Sequence, residues 1–299
     1  MSKVYDVITE RILEKLEAGV VPWHKPWKTA GGESPKNLVS QREYHGINVF
    51  MLACQDYASP YWLTFKQAKA LGGSVRKGEH GTPVVFWKRL ERKDEEESAD
   101  EKKERSPFML LYSTVFNLEQ TDGVKVPKGR IEEVDDEEAE AVSPIEACEA
   151  IVKAMPQRPE IKHGGNRAYY RPTTDQVHLP ERDSFESAEA YHSTQFHELV
   201  HATGHESRLA RAGVVDAIMY GDTNYSREEL VAEMGAAFLC GEVGIEQKTL
   251  DSSASYISGW LKALKNDRTL VVLAAAQASK AARFIMGDVP QVQTEGAAA

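Results

Sequence analysis

At 299 residues and 33.3 kDa, with 41% hydrophobic and 27% charged residues, the chain exceeds what one hydrophobic core usually fills and is not disordered throughout. Its net charge of −10, from 36 basic and 46 acidic residues, argues as a whole-chain figure against a nucleic-acid partner. Three scattered cysteines, Cys54, Cys148 and Cys240, exclude a disulfide framework and a CxxC metal knuckle; no apolar run approaches the roughly 20 residues of a membrane span, and no signal-peptide core opens the chain, so a cytoplasmic protein without a membrane partner is expected.

Charge by segment changes that picture. Residues 1–90 carry 13 basic against 8 acidic side chains, residues 91–142 carry 8 against 17, and the remainder 15 against 21. The basic front opens with Val4, Val7, Ile8, Ile12, Leu13 and Leu16 on one helical face, which predicts a helix over residues 4–18 ended by Gly19. Residues 22–28, PWHKPWK, then interleave aromatic and basic side chains, and the pattern continues through Tyr61, Trp62, Phe65 and Trp87. Aromatic faces stack on unpaired bases at about 1–3 kcal/mol each while Lys and Arg neutralise phosphates. The composition therefore suits single-stranded nucleic acid, with Trp23, Lys25, Trp27, Lys28, Arg42, Lys66, Arg76, Lys77 and Lys88 as candidate contacts. Rings are more often core than stacking platforms, so at least half of the front's aromatics are expected to be buried. Residues 72–81, GGSVRKGEHG, read as a basic turn that either approaches a phosphate backbone or closes a tight hairpin.

Residues 82–90 and 107–118 read as two strands joined by a charge-dense insert, expected as a mobile acidic loop over about 93–106. A second acidic block, residues 131–142, is the expected linker, giving a first domain over 1–130 and a second over 143–287. In the second, Ser143 and Pro144 start a helix through 155, and residues 168–171 and 176–179 flank a turn as a short hairpin. Asp183 with Glu186 can cap a helix to Gly204, and Ser226 with Glu229 another to Cys240. Two more helices are predicted over 252–265 and 267–286, before a tail, 288–299, expected to be disordered. The fold class is α+β.

Residues 197–201 spell HELVH inside the predicted 183–204 helix. Four-residue spacing puts His197 and His201 on one face, able to share a tetrahedral ion. Glu198 sits beside that face, where a carboxylate can deprotonate a water whose pKa Zn²⁺ lowers from 15.7 to about 7. A third ligand is needed, and Glu229 and Glu233, one turn apart, offer two assignments. Glu229 as ligand with Glu233 hydrogen-bonding a ligand histidine from behind is favoured over the reverse. The ion is a divalent metal, Zn²⁺ first, with Mn²⁺ as the alternative. His205 follows the helix-ending Gly204, and a helix climbs about 12 Å over eight residues, too far for one ion to reach His197 and His205 together. It is expected to cap the helix or to support a ligand from behind. His163, His178 and His192 read as ordinary polar histidines.

These motifs together resemble the ArdC-type antirestriction proteins of conjugative plasmids, whose front half also occurs in plasmid primases. The resemblance rests on PWHKPW at 22–27, YHGIN at 44–48, residues 59–81 with the following PVVFWK, AYY at 168–170, HELVHATGHESRL at 197–209 and EELVAEMGAAFL at 228–239. It implies an N-terminal α/β domain binding single-stranded DNA and a C-terminal, mainly helical zincin-like metallopeptidase domain with a small sheet. It further implies protection of incoming DNA from host restriction. His197, Glu198, His201 and Glu229 occupy the family's motif positions. Two other readings stand beside it: a soluble zinc metalloprotease whose front half recruits a protein substrate, and a DNA-binding protein whose metal is purely structural. The acidic blocks at 94–104 and 132–140 either aid solubility or mimic DNA towards a restriction enzyme.

Overall fold

The structure, a computed structural model, describes residues 3–24, 33–89, 108–126, 143–211, 214, 223–245 and 254–288. The expected acidic loop at 93–106, the linker at 131–142 and the tail beyond residue 288 lie outside them.

Helix α1, Lys3–Glu17, buries Val4, Ile8, Ile12, Leu13 and Leu16, the stripe legible in the sequence. After the single 3₁₀ turn Pro22–His24 come β1, Lys36–Asn37; α2, Ile47–Ala53; β2, Tyr61–Thr64; and α3, Phe65–Ala70. Thr64 and Gln67 form a reciprocal capping box at the start of α3, fixing the sharp change from strand to helix. The front is completed by β3, Ser74–Val75; β4, Thr82–Arg89; β5, Phe108–Asn117; and β6, Thr121–Asp122. Its main sheet has the order β1-β2-β5-β4, and β4 and β5 pair antiparallel from Thr82 opposite Val115 to Arg89 opposite Phe108. The expected hairpin is therefore present. The glycine-flanked turn at 72–81 instead lends two residues, as β3, to an antiparallel pair with β6. A two-residue strand has no periodicity to read.

Behind it, α4, Pro144–Ala154, has Ser143 as N-cap in a capping box with Glu146 and Pro144 in the first turn, as expected. Strands β7, Glu160–His163; β8, Tyr169–Arg171; and β9, Gln176–Leu179, form a sheet ordered β7-β9-β8, with β9 parallel to β7 and antiparallel to β8. The β8–β9 hairpin follows the sequence; β7 does not, because Glu160, Lys162 and His163 are exposed and Ile161 only half-buried, so the strand carries no apolar signal. The helices are α5, Ala188–Thr203; α6, Thr223–Val243; α7, Ala254–Asn266; and α8, Leu270–Ile285. The starts of α5, α6 and α8 differ from expectation, α8 opening at Leu270, three residues after Asp267. The Ser187 hydroxyl, not Asp183, caps α5 by accepting the Ala190 amide at 3.2 Å, because residues 182–184 form a separate 3₁₀ turn. Helix α6 begins three residues before Ser226.

One buried apolar cluster joins front and back: Ile8 and Ile12 of α1 and Phe50 of α2 share it with Phe196 of α5, Leu239 of α6 and Val271 of α8. Phe50 stacks on Phe238 with ring centroids 4.6 Å apart, and buried Thr9 donates to the Arg268 carbonyl at 2.6 Å. Ion pairs Glu10–Arg268 and Glu17–Lys265, both at 2.7 Å, rim the contact. Helices α5 and α6 are enclosed on nearly every side, and they approach most closely where Gly235 faces Val200. A Cβ on Gly235 would stand 2.7 Å from Val200 Cγ2. Gly235→Ala is therefore expected to cost about 1–3 kcal/mol and lower the thermal midpoint; the same alanine with Val200→Ala should recover part of that loss. Equal midpoints for wild type and Gly235→Ala would contradict this packing.

Candidate metal centre

Helix α5 sets His197 and His201 one turn apart on the side facing α6, and α6 brings Glu229 to both. The Nε2 atoms of the histidines are 3.1 Å apart; Glu229 Oε2 lies 3.6 Å from His197 Nε2 and its Oε1 3.4 Å from His201 Nε2. A tetrahedral ion with donors at about 2.0–2.1 Å holds those donors about 3.3 Å from one another. The three side chains thus converge at separations that fit a zinc-type ion, and they are the group among the described residues that meets this geometry.

Behind each imidazole stands a second carboxylate. Glu233 Oε1 is 3.6 Å from His197 Nδ1, and Glu228 Oε1 is 3.5 Å from His201 Nδ1. Such partners fix which ring nitrogen faces an ion. Glu228 is held in turn by Arg211, whose Nε donates to Glu228 Oε2 at 3.1 Å and whose other nitrogens reach Thr203 Oγ1 at 2.6 Å and the Val200 carbonyl at 2.7 Å. Arg208 does the equivalent at the Ala202 carbonyl, 2.7 Å away, and binds Asp175 of the β8–β9 turn. Two guanidinium groups thereby satisfy carbonyls left open by the end of α5, where cations are favoured. Glu228, Arg208 and Arg211 escaped the sequence reading. The signal available for them was a doubled glutamate at 228–229 and two arginines within the eight residues after the motif helix.

Glu198 is 6% exposed and lies beside the Tyr170 backbone of β8. Burial, reinforced by Glu229 and opposed by His197 and His201, raises its pKa above the usual carboxylate value. Burial alone would lower the two histidines, yet Glu229, with Glu228 at His201 and Glu233 at His197, outweighs it and leaves both raised, His201 strongly. Burial would likewise raise Glu228 and Glu229, but His201 with Arg211 and His201 with His197, respectively, hold them low. Four glutamates, 198, 228, 229 and 233, gather at this seam, where Arg211 pairs with Glu228. Buried negative charge in excess calls for protons on the histidines or for a cation between them.

Other expected site residues fall elsewhere. His205 Nδ1 accepts the Ser207 amide at 3.2 Å and lies 2.8 Å from Ser207 Oγ. It stitches the turn after α5 and supports no ligand histidine. Trp23 is a correction among the DNA candidates: it is 1% exposed and edge-on to Trp260 at 5.1 Å, so it has no face left for a base. Tyr61 and Trp62 are buried with it. Arg42, Lys66, Arg76, Lys77 and Lys88 are exposed, Arg76 pairing with Glu79 at 3.0 Å; Lys25, Trp27 and Lys28 lie outside the described residues. The sequence named Trp87 and Lys88 but not Phe86, Arg89, Phe108 and Tyr112, which share the β4–β5 hairpin with them. There Phe86, Trp87, Phe108 and Tyr112 are each 45–48% exposed beside Lys88 and Arg89.

Arg211→Met is expected to cost about 3–5 kcal/mol by stranding buried Glu228, and adding Glu228→Leu should return most of it, read by denaturant unfolding. A histidine raised above 6.5 contributes fully below that pH and loses its contribution as pH rises through the folded value; carboxylates lowered from 4.5 contribute above it and lose theirs as pH falls. In chelator, the thermal midpoint should therefore be highest between about pH 4.5 and 6.5, and His201→Gln should flatten the alkaline limb. A midpoint that keeps rising to pH 9 would contradict the assignment.

Known proteins bear on this arrangement. Residues 2–116 match the family model described as the N-terminal domain of anti-restriction factor ArdC, and residues 146–277 match the zincin-like metallopeptidase family. A DNA primase TraC of Escherichia coli is 36% identical over 97% of this chain, which spans only 28% of that protein's length. The uncharacterized protein y4eC of Sinorhizobium fredii (strain NBRC 101917 / NGR234) is 33% identical, with 99% of this chain and 96% of that one covered. The crystal structure of the antirestriction ArdC protein from plasmid R388 in its Mn(II)-bound form superposes with a TM-score of 0.74 at 37% identity, covering 98% of this chain and all of the other. The two-part fold, the match of each half to its own family and the full-length likeness to a solved ArdC agree: this chain belongs to the ArdC antirestriction family, with an ArdC N-terminal domain followed by a zincin-like domain.

Proposed function

We propose that this protein binds single-stranded DNA with its front half, holds a divalent metal at His197, His201 and Glu229, and protects DNA arriving by conjugation from restriction. The convergence of His197, His201 and Glu229 between α5 and α6 carries the metal reading: a dication facing two imidazoles and Glu229 answers the negative charge gathered at the seam. Zn²⁺ suits two imidazoles and one carboxylate in a tetrahedral site, and the related R388 protein is known with Mn(II). When bound, such an ion polarises a carbonyl and acidifies water. Glu198 is the general base: its burial makes it more basic than an exposed carboxylate, so it takes a proton from the attacking water and returns it to the leaving amine. Because β8 is an edge strand lying against α5, an extended peptide can pair alongside Glu198. The Tyr170 hydroxyl serves the fold instead, donating to Asp175 at 2.8 Å and accepting from Arg208 at 3.2 Å.

For DNA, the exposed rings and cations of the β4–β5 hairpin supply both stacking and phosphate contacts on one element. Trp87→Ala with Phe108→Ala in the full chain should weaken oligonucleotide binding at least tenfold, since each stacked ring contributes about 1–3 kcal/mol; affinity should also fall steeply with salt. Unchanged affinity would remove the hairpin from the interface. Glu198→Ala should keep its metal and its melting temperature while losing protection of transferred DNA. Protection that survives this change would leave the ion a purely structural tie between α5 and α6. Metal uptake should release protons, because the raised His201 holds one that the ion displaces, and affinity should climb with pH until His201 is neutral. Titration calorimetry in buffers of different ionisation heat reads that proton count, and a count of zero near neutral pH would oppose the assignment.

A further inference from the structure

Two buried ring nitrogens without a hydrogen-bond partner flank a single carboxylate. His197 Nδ1 stands 3.6 Å from Glu233 Oε1, and His24 Nε2 stands 3.6 Å from Glu233 Oε2. The first belongs to the motif helix, but the second comes from the front half of the chain. There the turn Pro22–His24 is wedged against the back: Trp23 packs edge-on to Trp260, and the His24 ring meets the same indole with centroids 6.4 Å apart. Buried polar nitrogens left unpaired are costly, and a contraction to about 3.0 Å on each side would satisfy both through the same glutamate.

We propose that His24 is a positioning residue of the metal centre, contributed by the ArdC N-terminal domain, acting through Glu233 on His197. The inference rests on the metal reading above. An ion at His197 Nε2 leaves the proton on Nδ1, pointed at Glu233 Oε1; His24 donates from Nε2 to Oε2 and holds that carboxylate in the orientation the ligand histidine needs. A front-to-back contact thereby becomes part of the metal's surroundings, and the coupling is reciprocal: whatever displaces the Trp23–His24 turn weakens the ion, and the ion tightens the turn by the same factor.

The test uses the full-length chain and Zn²⁺ alone, with affinity read by competition against a chromogenic chelator and the site's symmetry read from the visible spectrum of the Co²⁺ form. His24→Ala should weaken Zn²⁺ about tenfold and shift the Co²⁺ bands, at the lower edge of the 10–100-fold known for such supporting partners. His24→Gln, which keeps an N–H towards Glu233, should restore most of both. In Glu233→Gln the further change His24→Ala should add nothing, since its route to the metal is gone. Wild-type affinity in His24→Ala, no rescue by glutamine, or losses that simply multiply would each overturn the inference while leaving the metal reading intact. A wild-type chain that takes up no Zn²⁺ would overturn both. Should the alanine variant fail to fold, His24→Leu, which removes the N–H but keeps bulk against Trp260, takes its place in the same cycle with Glu233→Gln.

Discussion

Among the described residues, four glutamates and one guanidinium share the seam between α5 and α6, and the surrounding elements of this half serve that arrangement. Carboxylates leave water only when their charge is answered. Arg211 answers one of them, Glu228, and the same side chain closes the end of α5 through the Val200 carbonyl and Thr203. The histidines answer the others, as acceptors of protons or as ligands of an ion. Because Gly235 lets the two helices pack closely at Val200, these groups come within about 3.6 Å of one another and are not separated by a layer of side chains.

The segment after the motif helix has a constructive role beyond ending it. Arg208 binds the helix end, the Gln157 carbonyl at 2.9 Å, and Asp175 and Tyr170 of the hairpin, so the edge strand β8 is fixed relative to Glu198 by one side chain. Asp175 itself adopts a left-handed conformation, φ 49°, which a short polar side chain tolerates and which the Arg208 contact stabilises. The β8 edge, Glu198 and the end of α5 are therefore one mechanical unit.

The front half is bound into the same core. Helix α1 lies on α7 and α8, α2 reaches Phe238 through Phe50, and the Pro22–His24 turn reaches the carboxylate behind His197. Stability and metal affinity measured on either half alone would describe a different object, since the apolar faces of α1 and α2 would be exposed. The β4–β5 hairpin takes part in this shared core through Leu110 and Val85 while its exposed rings Phe86, Trp87, Phe108 and Tyr112 face away from it, which separates the surface available to a nucleic acid from the rings that hold the halves together.

Local patterns were legible wherever a physical period or cap repeats along the chain. The stripe of α1, the Ser143 cap with Pro144, the β4–β5 and β8–β9 hairpins and the four-residue spacing of His197 and His201 all depend on neighbours in sequence. Glu229 could be offered with Glu233 as two assignments because both lie on one helix face, and only the packing of α6 on α5 shows which meets both ring nitrogens. Trp23 and Trp87 carry the same composition signal, yet one is 1% and the other 47% exposed, because burial is set by what the rest of the chain lays over a ring. Net charge shows the same division. The sequence by itself determined that −10 conceals a basic front and acidic blocks, since that requires only counting along the chain. That Glu228, Arg211 and His24 gather around two histidines was decided by tertiary structure alone, because the forces among them act through space between residues up to 209 positions apart.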